Sequence, residues 1–287
     1  MCRISVKHQR PSLSCLHWLS ASVALLTLAA ASINAVELET ELTCDVLICG
    51  ATPGGITSAV AAGRLGHSVV LTEYEDHIGG IVSNGLTNAD IGKRQAVGGL
   101  FYEFTRRVVD HYEAIDNGNA NQPNVRTCRN GYCYEAHVAE LIFRKMLAAE
   151  EPRIQFRLQH ELKEAIVEDG RLTAVTLIER MQPERVIRCR AKVFVDATYE
   201  GDLAAMAGAP YRVGRESNSE FDEPHAGKVY LRFGTTELLP GSTGEADDAT
   251  EAYCFRFHVT NIAAKRVPPG GVGLSAALQL KPGLPEP

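Results

Sequence analysis

The sequence predicts an α/β fold built around a parallel sheet, and three consecutive features indicate it. A wholly apolar run, residues 46–49, has the length and composition of a strand buried on both faces. It leads directly into a glycine-rich turn at residues 50–55 and then into a helical stretch that ends near Leu65. A second apolar run, residues 68–72, completes a strand, helix, strand unit.

The glycine-rich turn and the acid after the second strand form a pattern typical of dinucleotide-binding, Rossmann-like domains. Gly50 makes the tight turn, Gly54 and Gly55 begin the helix whose free N–H groups suit a pyrophosphate, and Glu73 suits a ribose hydroxyl. An acid at position 73 argues against a 2′-phosphate. The motif is imperfect, because Thr52 stands where a second glycine is usual, and an ordinary glycine-rich turn is the alternative interpretation.

The rest of the first domain consists of helices, a meander and a last buried strand. The stripe Gly55, Ala59 and Gly63 lets the first helix pack closely on the sheet. Two further helices are predicted at residues 101–112 and 138–149. The predicted strands are residues 154–158, 162–167, 172–178, 185–190 and 192–196, of which three form the inserted meander and the last is buried.

Beyond the meander the composition changes, which predicts a second domain. Residues 217–250 are rich in Gly, Glu, Asp and Ser, and only residues 228–233 and 252–259 have the pattern of strands. We therefore divide the chain into a nucleotide-binding domain at residues 36–215 and a partial α+β substrate domain at residues 216–287.

The first 35 residues have the pattern of an export signal. Basic residues come first, a short apolar run follows at residues 16–31, and Ala35 ends a small-residue cleavage site. An uncleaved membrane anchor is the alternative, although the run is short and interrupted by polar residues. We expect an exported protein, periplasmic or extracellular, with no membrane span after cleavage.

Charge and composition narrow the class of partner. The chain carries a formal net charge of −6 and no cluster of Lys or Arg, which argues against a nucleic-acid partner. A hydrophobic fraction of 45% is enough for a folded core. We expect a small-molecule substrate, and nothing in the sequence indicates the oligomeric state.

Two cysteines flank a strong turn signal. In residues 128–133 the pair Asn130 and Gly131 is typical of a two-residue hairpin turn, which places Cys128 opposite Cys133. In an oxidising compartment this geometry predicts a disulfide. A redox or metal-binding pair is the alternative, but no further ligand lies nearby in sequence.

The assembled motifs resemble the FAD-dependent oxidoreductases with two dinucleotide-binding domains. More narrowly, they are similar to secreted bacterial members with the motif GxTPGG, here "GATPGGITSAVAAGRLGHSVVLTE". Matching stretches include "HIGGIVSNGL", "YEAHVAELIF", "DATYEGDLAAMAGAPYRVGRES" and "AYCFRFHVTN". The resemblance covers roughly residues 44–265.

The resemblance implies FAD as cofactor and assigns roles to matching residues. Tyr199 replaces a glycine that ends the corresponding strand, Ala-Thr-Gly, in many flavoproteins. Some relatives are linked to polysaccharide breakdown, including xanthan lyase. The implied FAD-binding residues are Gly50, Thr52, Gly54, Gly55, Glu73, Gly79, Gly80, Thr198 and Asp202, with Gly201 close by.

The candidates for contact with the substrate are few, because a flavin carries the electron chemistry itself. His137 opens a predicted helix and Arg256 lies in the alternating stretch 252–259; a surface histidine and an outward-facing arginine fit these patterns too. His225 and Arg215 are weaker candidates. No HExxH, GxSxG, P-loop or paired-cysteine metal motif is present, so we expect no metal site.

These observations predict an FAD-dependent oxidoreductase acting on a small organic molecule outside the cytoplasm. One rival is a polysaccharide-associated protein with a relic nucleotide-binding fold, and another is an NAD-binding domain, which the segments after Glu73 disfavour. We also expect an incomplete copy of the family's protein, because the resemblance fades after about Val267 into a Pro/Gly-rich end. A compact, naturally short variant is the competing account.

Overall fold

The computed structural model describes residues 38–115 and 123–250. Six strands and six helices follow one another along these residues, with one 3₁₀ turn at Arg94–Ala96. In chain order they are β1 (Leu38–Cys49), α1 (Pro53–Arg64), β2 (Val69–Thr72), α2 (Gly80–Ser83), α3 (Gly99–Ile115), α4 (Pro123–Thr127), α5 (Ala136–Ala148), β3 (Ile154–Arg157), β4 (His160–Glu168), β5 (Arg171–Glu179), β6 (Gln182–Asp196) and α6 (Asp202–Met206).

The strands form a single mixed sheet in the order β3-β2-β1-β6-β5-β4. Strands β3, β2, β1 and β6 are mutually parallel, whereas β5 and β4 continue the sheet in antiparallel fashion. This arrangement confirms the predicted α/β fold with a Rossmann-like half and an inserted meander.

The first and last strands are longer than predicted. β1 begins at Leu38 because its polar first half pairs with β6 alone, and polar residues produce no apolar run. We predicted two strands at residues 185–190 and 192–196, which is wrong. β6 is continuous, because Ala191 stays in register with Cys44 and the strand serves both the meander and the parallel sheet.

Helices cover one face of the sheet. Apolar side chains are buried between the helices and the sheet, and their burial is the main favourable contribution to folding. It amounts to on the order of 1.5–3 kcal/mol for each large side chain before conformational entropy is counted. The predicted small-residue stripe of α1 is buried, and a side chain on Gly63 would begin only 3.3 Å from Ile154 Cγ1 of β3. Buried members of this layer include Ile48, Ile56, Val60, Phe104, Val108, Phe143 and Met146.

The opposite face has a smaller core, formed by the sheet, the meander and α6. It contains the thiols of Cys44 and Cys189, whose sulfur atoms are 3.9 Å apart. Both cysteines are buried and reduced.

The predicted disulfide between Cys128 and Cys133 is wrong, since both residues are free thiols. The Cys128 thiol donates to the carbonyl of Val125 at 3.0 Å, and the Cys133 thiol donates to Asn88 Oδ1 at 3.1 Å. The two side chains therefore have different partners.

The hairpin on which that disulfide depended is also absent from this segment. Residues Arg129, Asn130 and Gly131 all have positive φ, at 46°, 63° and 84°, so the turn is one residue longer than a two-residue hairpin loop. Helix α4 precedes the turn, and residue 133 pairs instead with Asn88, 45 positions earlier. The predicted positive φ of Asn130 and Gly131 is confirmed, but the two-residue turn and the strand partner are wrong.

The described part of the predicted second domain has no regular element. Residues 207–250 form turns closed by two isolated bridges, Arg215 with Asp247 and Leu231 with Leu238, so the predicted strand at residues 228–233 is wrong. The predicted strand at residues 252–259 lies outside the described residues, as do the predicted export signal and the chain end. Among the helices that are described, none combines the length and apolarity needed to cross a bilayer.

Candidate functional site at the strand ends

Three strand ends meet at one edge of the sheet, and the glycine turn lies between them. Cys49, the last residue of β1, is in register with Thr72 of β2 and with Asp196 of β6. The chain leaving β1 therefore runs between the ends of both neighbouring strands. In open α/β sheets, the crevice beyond the carboxyl ends of the strands, where connections lead to opposite sides, is the usual ligand site.

Two glycines of the turn have no room for a side chain. A Cβ on Gly50, whose φ is 98°, would be 2.7 Å from the carbonyl oxygen of Ala197. A Cβ on Gly55 would be 1.9 Å from the carbonyl oxygen of Gly50. The bare backbone of the turn is thus packed directly against the end of β6.

Thr52 caps helix α1 and ties it to β6. Its hydroxyl accepts a hydrogen bond from the Gly55 N–H at 3.3 Å and donates to the carbonyl of Ala197 at 2.8 Å. The N–H groups of Thr52 and Gly54 have no acceptor among the described residues. Free N–H groups at the beginning of a helix are suited to an anion.

Glu73 links the end of β2 to the glycine turn. One carboxylate oxygen accepts from the Ala51 N–H at 2.7 Å, and the other accepts from the Glu75 N–H at 3.2 Å. A carboxylate offers about four acceptor positions, so two are left for a ligand. The predicted ribose acceptor therefore also orders the turn that precedes it.

The second glycine pair, Gly79 and Gly80, comes to the same place. The Gly79 N–H donates to the carbonyl of Ala51 at 2.8 Å, and both glycines have positive φ, at 96° and 49°. The hydroxyl of Tyr199 accepts from the Ile81 N–H at 2.8 Å. The structure thus brings together the two glycine segments that the sequence places 24 residues or more apart.

The end of β6 is a closed hydrogen-bonded turn. The Thr198 hydroxyl donates to Asp196 Oδ1 at 2.7 Å and accepts from the N–H groups of Gly201 and Asp202 at 2.9 and 3.0 Å. Asp196 Oδ2 accepts from the Ala204 N–H at 2.8 Å, inside α6. The sequence interpretation gave Asp196 no role; its signal was an acid directly after the apolar residues 193–195. The predicted burial of this last strand is wrong, since Val193 is 52% exposed and Asp196 is half-buried.

A comparison with known protein families shows to which family this chain belongs. Residues 45–275, more than half of the chain, match the family described as FAD dependent oxidoreductase. The chain belongs to this family. The predicted FAD-dependent oxidoreductase family, with its enzyme class and its FAD cofactor, is thereby confirmed. The narrower secreted branch with the GxTPGG motif and its link to xanthan lyase stay predictions. No curated protein matches the chain in sequence.

Several solved structures are similar to parts of this chain at low sequence identity. Glycerol-3-phosphate dehydrogenase from Bacillus halodurans, complexed with FAD, is 15% identical with a TM-score of 0.42, covering 64% of this chain and 42% of that one. THI4 from Thermovibrio ammonificans is 16% identical with a TM-score of 0.41, covering 73% and 76%. The myxobacterial chondrochloren halogenase CndH is 17% identical with a TM-score of 0.35, covering 55% and 37%. The chain spans less than half of the dehydrogenase and halogenase chains.

The residues at the strand ends of this chain fit FAD. Gly50 and Gly55 keep the backbone bare, and the N–H groups of Thr52 and Gly54 are available to phosphate oxygens. Glu73 retains free acceptor positions for ribose hydroxyls. The Thr52 side chain is engaged within the protein, so only its N–H group remains for a ligand.

The predicted catalytic candidates that the structure describes are not part of this cluster. His137 lies exposed near the beginning of α5, beside a cleft of about 310 Å³ that His77 and Glu140 also line. His77 Nδ1 is 2.9 Å from Glu140 Oε2. Arg215 pairs with Asp247, His225 is exposed, and Arg256 lies outside the described residues.

A larger cavity of about 540 Å³ lies beside the residues that follow the second glycine pair. Asn88 and the tyrosines Tyr112 and Tyr134 are among its lining residues. Burial raises the pKa of both tyrosines to about 12, so each phenol is neutral at physiological pH. The Tyr112 hydroxyl donates to Glu135 Oε2 at 3.3 Å and accepts from the Glu135 N–H at 3.1 Å. The Tyr134 hydroxyl has no partner in the described part of the chain. Such a cavity is chemically suited to a small polar molecule.

Proposed function

We propose that this protein is an exported FAD-dependent oxidoreductase that oxidises or reduces a small organic molecule. One observation carries the proposal: the glycine turn, Glu73 and the end of β6 converge at one sheet edge within a chain of the FAD-dependent oxidoreductase family. The pattern of residues 1–35 supports export.

Each predicted cofactor residue has a proposed role at this edge. Gly50, Gly54 and Gly55 surround the pyrophosphate, and the N–H groups of Thr52 and Gly54 are its donors. Glu73 accepts from the ribose of the adenosine. Gly79 and Gly80 line the site further along the cofactor, where the absence of side chains lets the backbone come close to FAD. Thr198 and Asp202 complete the phosphate side from the end of β6.

The flavin supplies the acceptance or donation of electrons when it is bound. The chain's own residues bind it, orient it and exclude water around it. His137 and Arg256 remain the proposed candidates for contact with the substrate. The cavity beside Asn88 is lined by the neutral phenol of Tyr134, whose hydroxyl has no partner among the described residues and suits a substrate carrying a carbonyl or carboxylate oxygen.

The decisive experiment is the identification of the ligand in the purified full chain. We expect a yellow protein with a flavin absorption spectrum, and FAD in the mass spectrum of the released small molecules. Gly55→Val, expressed and purified in parallel, should be colourless because its side chain would collide with Gly50. Protein that carries no flavin after incubation with FAD, or that retains NAD instead, would overturn the proposal and favour the relic or NAD-binding alternatives.

Export is tested separately by fractionation and by sequencing the mature N-terminus. We expect the protein outside the cytoplasm with Val36 as its first residue. A chain that keeps Met1 and stays in the membrane fraction would show that the leader is an anchor.

A further inference from the structure

Tyr199 occupies an unusual position between the end of β6 and the second glycine pair. It directly follows Thr198, at the place where many flavoproteins have glycine. The side chain is 63% exposed, yet its hydroxyl accepts a hydrogen bond from the Ile81 N–H at 2.8 Å. An exposed tyrosine with a defined backbone partner across 118 residues of sequence is an ordered part of this edge.

The phenol of Tyr199 also covers Gly80. A Cβ on Gly80 would be 2.2 Å from the Tyr199 hydroxyl oxygen, 2.9 Å from Cζ and 3.0 Å from Cε2. Its three nearest neighbours would thus all belong to Tyr199. The absence of a side chain at position 80 therefore matters for this contact as well as for the positive φ of the glycine.

This contact completes a ring of three backbone segments at the strand ends. The Gly79 N–H donates to Ala51, which joins the second glycine pair to the first turn. Gly50 packs on Ala197, which joins the first turn to the end of β6. Tyr199 joins the end of β6 back to Gly80 and Ile81, so each segment is held by the other two.

We propose that Tyr199 is a positioning residue for FAD, holding the Gly79 and Gly80 turn at the end of β6 before the cofactor binds. This inference rests on the proposed function, since it assumes that FAD binds at this edge. A turn that is already ordered loses less conformational entropy on binding, and the gain is expressed as affinity. Because the side chain is mostly exposed, its contribution to folding of the protein without FAD is small.

The first test is Tyr199→Phe in the full chain, which removes the hydroxyl acceptor of the Ile81 N–H and keeps the ring. We expect the Kd for FAD to rise about 2- to 10-fold, the usual scale for one neutral hydrogen bond. The thermal unfolding midpoint of the FAD-free protein should stay unchanged. Tyr211→Phe is the matched control, because Tyr211 is also exposed and its hydroxyl has no hydrogen bond in the described chain; its Kd should equal the wild-type value.

The second test is a double-mutant cycle between Gly80→Ala and Tyr199→Gly. In the presence of Tyr199, Gly80→Ala should weaken FAD binding by about 2- to 10-fold beyond the cost of the strained φ, because the new methyl group displaces the exposed phenol and breaks its hydrogen bond with the Ile81 N–H. In the Tyr199→Gly background the same change should cost less than about threefold, since only the strain of positive φ remains. The strain is common to both backgrounds and cancels in the cycle.

The outcomes separate this inference from the proposed function. Equal Kd values for wild type and Tyr199→Phe, or additive effects in the cycle, would overturn the positioning role while leaving FAD binding intact. A lowered unfolding midpoint of FAD-free Tyr199→Phe with unchanged Kd would show a purely structural role and would overturn it too. A folded wild-type chain that binds no FAD would overturn the proposed function, and the inference with it. Should Gly80→Ala fail to fold, Tyr199→Phe and Tyr199→Gly still decide the question.

Discussion

Glu73 has two tasks, which makes its removal informative. Its carboxylate accepts from the Ala51 N–H and is proposed to accept from the ribose as well. We expect Glu73→Ala to weaken FAD binding by about 1.5–3 kcal/mol, the usual scale for hydrogen bonds to a charged group. Isothermal titration of FAD into the FAD-free protein measures this loss of binding free energy. The affinity of Glu73→Gln should lie between those of wild type and Glu73→Ala, because the amide keeps one acceptor oxygen.

Glu75 provides the matched control for that measurement. It is an acid two residues further on whose carboxylate pairs with Arg180, 3.0 Å away. Glu75→Ala should leave the Kd for FAD at the wild-type value. Equal losses in both variants would mean that net charge, and not the position of Glu73, governs binding.

Gly55 and Gly54 are adjacent glycines with opposite tolerance. A Cβ on Gly55 would meet the Gly50 carbonyl oxygen at 1.9 Å, whereas a Cβ on exposed Gly54 would meet only Thr52 Oγ1, at 3.7 Å. We expect Gly55→Ala to lower the free energy of unfolding by about 3 kcal/mol or more, and Gly54→Ala to change it by less than about 0.5 kcal/mol. Denaturant titration compares the two; similar stabilities would show that the turn relaxes away from β6.

At the scale of elements, an ion-pair cluster holds the helical layer together. Arg64, at the end of α1, makes two hydrogen bonds to Glu103 of α3, at 2.7 and 2.9 Å, and a third to Glu150 beyond α5, at 2.9 Å. Its hydrogen bonds, together with those from Arg107, lower the pKa of Glu103 to about 2. The cluster therefore joins α1, α3 and the turn after α5. No pattern in their sequences indicates that these segments are in contact.

The lowered pKa of Glu103 predicts a pH dependence of stability. Because the folded-state pKa lies below the ordinary value of 4.5, the contribution is present above that pH and is lost as the pH falls towards 2. Both partners are partly exposed, so solvent screening limits the contribution to about 1 kcal/mol. Glu103→Gln should be less stable than wild type by that amount at neutral pH and equal to it near pH 2.

The control for this pH profile is Glu113→Gln on the same helix, because Glu113 has no ion pair within the described ranges. Its difference from wild type should be near zero at every pH. A Glu103→Gln difference that persists unchanged into acid would show that packing, and not charge, makes the contribution.

At the scale of the whole molecule, the site lies where four parallel strands and the helical layer are joined, so FAD binding should stabilise the entire fold. A ligand present at about 100 times its Kd stabilises the folded state by roughly 2.7 kcal/mol. For a chain of this size that corresponds to a rise in Tm of roughly 5–10 °C. Thermal scans of FAD-free protein with and without FAD measure the shift, and Glu73→Ala at the same FAD concentration should show a smaller one. A Tm that does not respond to FAD would contradict a site at the centre of the sheet.

Much of this arrangement could be predicted from local patterns. The apolar run before Gly50, the glycine turn, the small-residue stripe of α1 and the acid at position 73 lie within 30 residues, and each reports a local requirement of backbone conformation or packing. Short-range periodicity and turn chemistry suffice for such features, because neighbouring residues impose them on each other. The strand, turn, helix and strand were therefore all recognised, with errors only in their ends.

Most of the features that were missed depend on pairing between distant residues. β1 and β6 are long because they pair with each other about 147 positions apart. Cys133 forms its β-bridge with Asn88, although its N–H also closes its own turn on the Cys128 carbonyl at 2.9 Å. Tyr199 meets Gly80 and Ile81 only after the sheet has brought the end of β6 beside the first turn. Local sequence sets which conformations each segment favours, whereas the partner of an exposed strand, a thiol or a phenol is chosen by the packing of the whole chain, which no single segment encodes.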